Sequence, residues 1–154
     1  MIKTILKADR DSIKLLLRVD DRIPSVNSIY QVNRKTGVTY KSPLANKIYQ
    51  EIQSQMTLSG ISDFMPEFIN GRKYFRTKYQ FVIRYGLNTR DLSNMLKLVE
   101  DAIHRKLGID DHSVIELSCV KSFMGNETRS EFIIFEILPS EFDPMYFDKM
   151  SNEP

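Results

Sequence analysis

An α+β fold, a single domain with a mixed β-sheet and two main helices packed on one face, follows from three observations on this 154-residue chain. Four runs carry the alternation or the β-branched and aromatic content of strands. Two other stretches repeat apolar residues at helical spacing. No repeat, low-complexity tract or flexible linker divides the sequence, and its length suits one buried core. Residues 1–140 are therefore read as the domain and 141–154 as an acidic C-terminal tail, where Glu141, Asp143, Asp148 and Glu153 oppose only Lys149.

The first strand is expected over Ser12–Val19, with Ile13, Leu15, Leu17 and Val19 on one face. Asp20 to Asn27 breaks it, because Pro24 lacks a donor and the Asp, Ser and Asn side chains compete for backbone bonds. Thr36-Gly37 marks a turn. Ser42-Pro43 has the form of an N-cap followed by proline at the first helical position, and Leu44, Ile48 and Ile52 then make an apolar stripe that ends near Ser59-Gly60. Residues 71–87 read as a strand, with Phe75, Tyr79, Phe81 and Ile83 largely on alternate positions. Asp91–Leu107 follows the helical period through Leu92, Met95, Leu96, Val99, Ile103 and Leu107, and Gly108 supplies a left-handed stop. Val114–Phe123 and Arg129–Leu138 are two further strands, and the Met124–Thr128 segment between them suits a hairpin.

Composition excludes several classes of function. The longest apolar runs are far shorter than the roughly 18 residues of a membrane span, and the N-terminus lacks an apolar stretch followed by a small-residue cleavage site. A cytoplasmic protein is expected. The single Cys119 and the isolated His104 and His112 give no zinc-ligand spacing. Cys119 reads as a small apolar strand residue and both histidines as surface residues, with His112 the better candidate for an assisting role because it adjoins Asp111. Asn126-Glu127-Thr128 has the form of a glycosylation sequon but reads as a turn.

Net charge is only +2, yet it is unevenly placed. Between residues 71 and 97, Arg72, Lys73, Arg76, Lys78, Arg84, Arg90 and Lys97 face Asp91 alone. A basic middle and an acidic end suit a protein that meets phosphates with one face, although cations on a solvated strand edge also deter edge pairing. Arg72, Lys73, Arg76, Lys78 and Arg90, with Arg34 and Lys35 from the earlier loop, form the expected electrostatic footprint for DNA. Tyr30, Tyr40 and Tyr74, close to loops, are the aromatic candidates for stacking on bases.

Opposite the apolar arc of the second helix, Asn94, Lys97 and Asp101 share a narrow sector, with Asp91 at the helix start and Asp110-Asp111 in the loop beyond Gly108. As structural features these carboxylates would cap and turn the chain. In type and order, however, the run Arg90-Asp91-Leu92-Ser93-Asn94-Met95-Leu96-Lys97, then Asp101-Ala102-Ile103 and Gly108-Ile109-Asp110-Asp111, resembles the core motif of RusA-type Holliday-junction resolvases. A weaker similarity lies in Pro24-Ser25-Val26-Asn27-Ser28-Ile29-Tyr30 and in Gly37-Val38-Thr39-Tyr40-Lys41-Ser42. The matches cover roughly residues 13–138 in order.

That resemblance implies a homodimeric endonuclease, dependent on Mg²⁺ or alternatively Mn²⁺, that hydrolyses phosphodiesters at a four-way DNA junction in recombination and repair. It suggests a bacterial cell, with a phage or prophage origin. It implies Asp91 and Asp111 as metal ligands, Asp110 as a ligand or support, and Lys97 as the cation near the scissile phosphate. Asn94 would orient the site and Asp101 would pair with Lys97. One position departs from the family: Ser93 stands where its second aspartate is found. Ser93 could act through a water, Asp110 or Glu100 could stand in, or the domain could bind junctions without cutting them.

Overall fold

The computed structural model describes residues 3–20, 23, 30–84, 91–125, 129–142 and 144–145. Arg90, the segment 24–29, the sequon at 126–128 and most of the tail lie outside them. Seven strands and three helices follow in the order β1 (Ile5–Ala8), β2 (Ile13–Val19), β3 (Tyr30–Val32), β4 (Thr39–Lys41), α1 (Pro43–Ser59), α2 (Ile61–Ile69), β5 (Phe75–Arg84), α3 (Leu92–Leu107), β6 (Val114–Met124) and β7 (Glu131–Pro139). Five strands make a mixed sheet ordered β1-β2-β7-β5-β6, and β3 and β4 form a separate two-stranded ribbon. The α+β class and the helices over one sheet face agree with the sequence reading. The chain adds β1, the ribbon strands and the short helix α2, which carries Pro66 in its interior.

Local chemistry sets the element ends. Ser42 is extended and its Oγ accepts from the Ala45 amide at 3.2 Å, satisfying one of the free donors that open α1. Gly60 at φ +74° ends that helix, a conformation that would strain a side-chain-bearing residue. Along α1, Ala45, Ile48, Ile52 and Met56 are buried, as their spacing requires.

The predicted hairpin between the last two strands is overturned. β5 lies between them, pairing parallel with β6 and antiparallel with β7. The parallel pair needs a crossover, which α3 supplies. Composition explains the order: β7 buries Ile133, Phe135 and Ile137 and suits the sheet centre, whereas Glu116, Ser118 and Lys121 of β6 suit an edge. Register then brings Leu15, Phe135, Tyr79 and Cys119 side by side across β2, β7, β5 and β6. The Tyr79 and Phe135 rings lie 5.1 Å apart, so the phenol is held on the helix-covered face.

Candidate functional site

Gly108, at φ +70°, lets the chain turn back after α3, and Ile109 docks into the core. A 3₁₀ turn follows at Asp111–Ser113. The Asp110 carboxylate accepts from the His112 amide at 3.0 Å, and the Asp110 carbonyl accepts from the Ser113 amide and hydroxyl at 2.9 and 2.6 Å. Asp110 is thus occupied in shaping the turn. Asp111 points the other way, toward α3, with Oδ1 2.7 Å from His104 Nδ1.

His104 is not the surface residue its sequence position suggested. It is only 3% exposed, and its Nε2 lies 3.0 Å from the Tyr79 hydroxyl. It stands at the margin of the apolar arc, where α3 meets β5, and the Tyr79 phenol gives it a polar partner inside the protein. A carboxylate can only accept, so Nδ1 carries the proton to Asp111, and in the neutral ring Nε2 accepts from Tyr79. Burial, then the charges of Glu100 and Asp111, push the Tyr79 phenol above its ordinary range and keep it a donor. The result is a relay Tyr79–His104–Asp111 that orients a carboxylate whose side chain remains 62% exposed.

Glu100 lies one helical turn before His104, and ligand atoms of Glu100, His104 and Asp111 fall within 4.8 Å of one another. Partial burial raises the Glu100 carboxyl, with Asp111 and Asp101 adding to the effect and His104 and Lys97 opposing it. Lys97 pairs with Asp101 at 3.3 Å. Asp101 is the main cause of that ammonium's upward shift, and Glu100 and Asp111 contribute. Cys119, register partner of Tyr79, has its thiol pushed up by burial and then by Glu100. Lys97, Asp101 and Asp111 therefore share one neighbourhood. Glu100, His104, Tyr79 and Cys119 join them. The helical spacing of Glu100 and His104 was the available signal for the first two.

The carboxylate that gathers with Asp111 is Glu100, and Asp91, expected beside Asp111, is not in that cluster. Asp91 is the exposed N-cap residue of α3, and its side chain makes no capping bond. His104, to which Asp111 is tied, lies about 20 Å farther along the helix axis. Exposed Ser93 and half-buried Asn94 belong to the Asp91 end, and exposed His112 lies outside the Glu100–His104–Asp111 cluster.

The basic footprint also changes. The Arg72 guanidinium donates to the backbone carbonyls of Arg10 and Phe68 and lies over the Phe68 ring, so it ties α2 to the β1–β2 turn. Arg76 pairs with Glu116 at 3.5 Å and Lys78 with Glu136 at 3.9 Å, so neighbouring strands offset these cations. Lys73 is exposed, and Arg34 and Lys35 are exposed at the turn of the β3–β4 ribbon. A concavity of about 1130 Å³ between the β1–β2 edge and α1 contains none of the expected site residues.

A pH dependence follows from Glu100. Its folded-state carboxyl is raised from the ordinary 4.5, so its own contribution to metal-free stability is greatest below that value and is lost as pH rises through the folded-state pKa. Glu100→Gln removes this loss. Because Glu100 is half-exposed, the gain at neutral pH should stay below about 1 kcal/mol, or at most about 4 °C in Tm, and should vanish in acid. Thermal melts in chelator across the pH range measure it; a variant no more stable than its parent at neutral pH contradicts the crowded-carboxylate account.

Neither protein-family profiles nor curated protein sequences match this chain. Among solved structures, it is similar to a protein of unknown function from Agrobacterium tumefaciens, at 7% identity and a TM-score of 0.42, over 89% of this chain and 82% of that one.

Proposed function

We propose that this protein is a Mg²⁺- or Mn²⁺-dependent endonuclease that cuts branched DNA, with the four-way junction as its substrate. The observation that carries the reading is the relay-held Asp111 beside a Glu100 whose ionisation is resisted by its neighbours, with the Lys97 ammonium in the same field. The donor set fits a hard divalent cation: Asp111 and Glu100 supply oxygens, and a cation would relieve their mutual repulsion. His104 serves as the positioning residue for Asp111, with both ring nitrogens already engaged. When bound, the cation would polarise the phosphate and lower the pKa of a coordinated water. Lys97 supplies a positive charge for phosphate oxygens in the transition state. In this reading Glu100 takes the place assigned to Asp91.

The junction as substrate rests on the RusA-like spacing of Asp91 to Lys97 and Gly108 to Asp111. A homodimer would carry two such centres for two symmetry-related strands. The test is incubation of end-labelled four-way junctions with the protein and Mg²⁺ or Mn²⁺. Paired nicks that disappear in chelator are expected; no product at any concentration of either metal rejects the nuclease.

Ser93, together with the absence of Asp91 from the Glu100–His104–Asp111 cluster, favours a second reading, a junction-binding protein that does not cut. The substitution Ser93→Asp separates the two. A centre built on Glu100 and Asp111 predicts cleavage within about twofold of the parent, because Ser93 lies about 10 Å before Glu100 along α3. Cleavage created from nothing by Ser93→Asp would instead identify the Asp91 end as a disabled catalytic centre.

A further inference from the structure

The β3–β4 ribbon is a separate two-stranded sheet at whose turn the chain presents Arg34 and Lys35. Its turn is well defined. Asn33 Oδ1 accepts from the Lys35 amide at 2.9 Å, the Asn33 carbonyl accepts from the Gly37 amide at 2.7 Å, and Gly37 takes φ +70°. Register places Thr39 and Lys41 at Val32 and Tyr30, and Tyr40 at Gln31. Because faces alternate along a strand, Val38 and Tyr40 share one face and Thr39 and Lys41 the other. The Lys41 ammonium sits 4.1 Å from the centre of the Tyr49 ring, on the face opposite Tyr40. Both faces are open: Val38 is 59% and Tyr40 46% exposed on one, and Val32 is 59% exposed on the other.

Charge identifies the partner. From residue 30 to residue 50 the chain has Arg34, Lys35, Lys41 and Lys47 and no Asp or Glu. Unlike Arg76 and Lys78, which acidic side chains of adjacent strands offset, Arg34 and Lys35 have no carboxylate nearby in sequence. A basic ribbon with an exposed aromatic and an exposed aliphatic side chain on one face is matched by polyanion plus exposed base faces. Linear duplex buries its bases in the stack, whereas a branch point leaves base faces open.

We infer that the β3–β4 ribbon is a DNA-contacting arm that packs Tyr40 and Val38 on unstacked bases at a branch point while Arg34 and Lys35 hold the flanking phosphates. The arm thereby supplies preference for branched over linear DNA. The inference rests on the proposed DNA substrate but not on cleavage.

The test uses the full chain in chelator, so that binding is read without cutting. Affinities for a four-way junction and for a linear duplex of the same length are compared across salt. Val38→Ser with Tyr40→Ala should weaken junction binding roughly five- to hundredfold and leave duplex binding within about twofold. Arg34→Gln with Lys35→Gln should weaken both substrates and reduce the log–log salt slope by about two. Since these side chains are exposed, unchanged circular dichroism and melting should accompany each loss. Junction preference retained by Val38→Ser with Tyr40→Ala overturns the arm. A parent that binds junction and duplex equally overturns the arm and the junction reading together, whereas a parent that prefers junctions but never cuts them overturns the nuclease and leaves the arm standing.

Discussion

Asp111→Asn should keep the fold and lose junction cleavage by on the order of 10²–10³-fold. The replacement is nearly isosteric, and its amide oxygen can still accept from His104 Nδ1, so the relay from Tyr79 remains intact. What disappears is the negative charge, on which a hard divalent cation depends. The side chain is largely exposed, so the change in stability should be within about 0.5 kcal/mol. Initial rates on labelled junctions, together with thermal melts with and without Mg²⁺, measure both effects. The parent should gain Tm with the metal and the variant should not. Cleavage by Asp111→Asn near the parental rate would remove Asp111 from the centre and with it the site proposed here.

The largest expected effect on stability is remote from that site. Glu131 opens β7 and has no exposed surface, yet it accepts from the Ile23 amide at 2.9 Å through one oxygen and from the Arg84 amide at 3.0 Å through the other. It joins the end of β5 to the segment that follows β2. Glu131→Ala strands both amide donors where water cannot replace the lost acceptor, at about 1–3 kcal/mol for each. A loss of about 2–5 kcal/mol, read as a lower midpoint in urea, is therefore expected. Glu131→Gln keeps one acceptor oxygen but sets its NH2 against the other amide donor, so it should cost about half as much or somewhat more. If Glu131→Ala unfolds at the parental midpoint, the clasp contributes nothing to the fold.

Several features of the fold are legible in the sequence. Alternation in Ile13, Leu15, Leu17 and Val19 placed β2 on the buried face, and all four are buried. The Ser42-Pro43 start and Gly60 stop framed α1, and Gly108 ended α3 in the left-handed conformation it was expected to adopt. The Lys97–Asp101 pair followed from their spacing on one helix face. α2 was less legible because it is short and interrupted by Pro66, and β1 because Ile5–Ala8 is only four residues long and mostly exposed.

What the sequence determined by itself was the set of faces: which residues along each strand or helix point the same way, because backbone period alone decides that. Tertiary structure decided which faces meet. Parallel pairing of β5 and β6 around α3 placed β7 between β2 and β5, removed the expected hairpin, and set Tyr79 beneath His104. The turn after Gly108 returned Asp111 to Glu100 and His104, a cluster that does not include Asp91. The physical reason is that spacing along a chain constrains only neighbours within one element. Contacts between elements depend on which edges and faces bury the most apolar surface, and that is settled by the whole core at once.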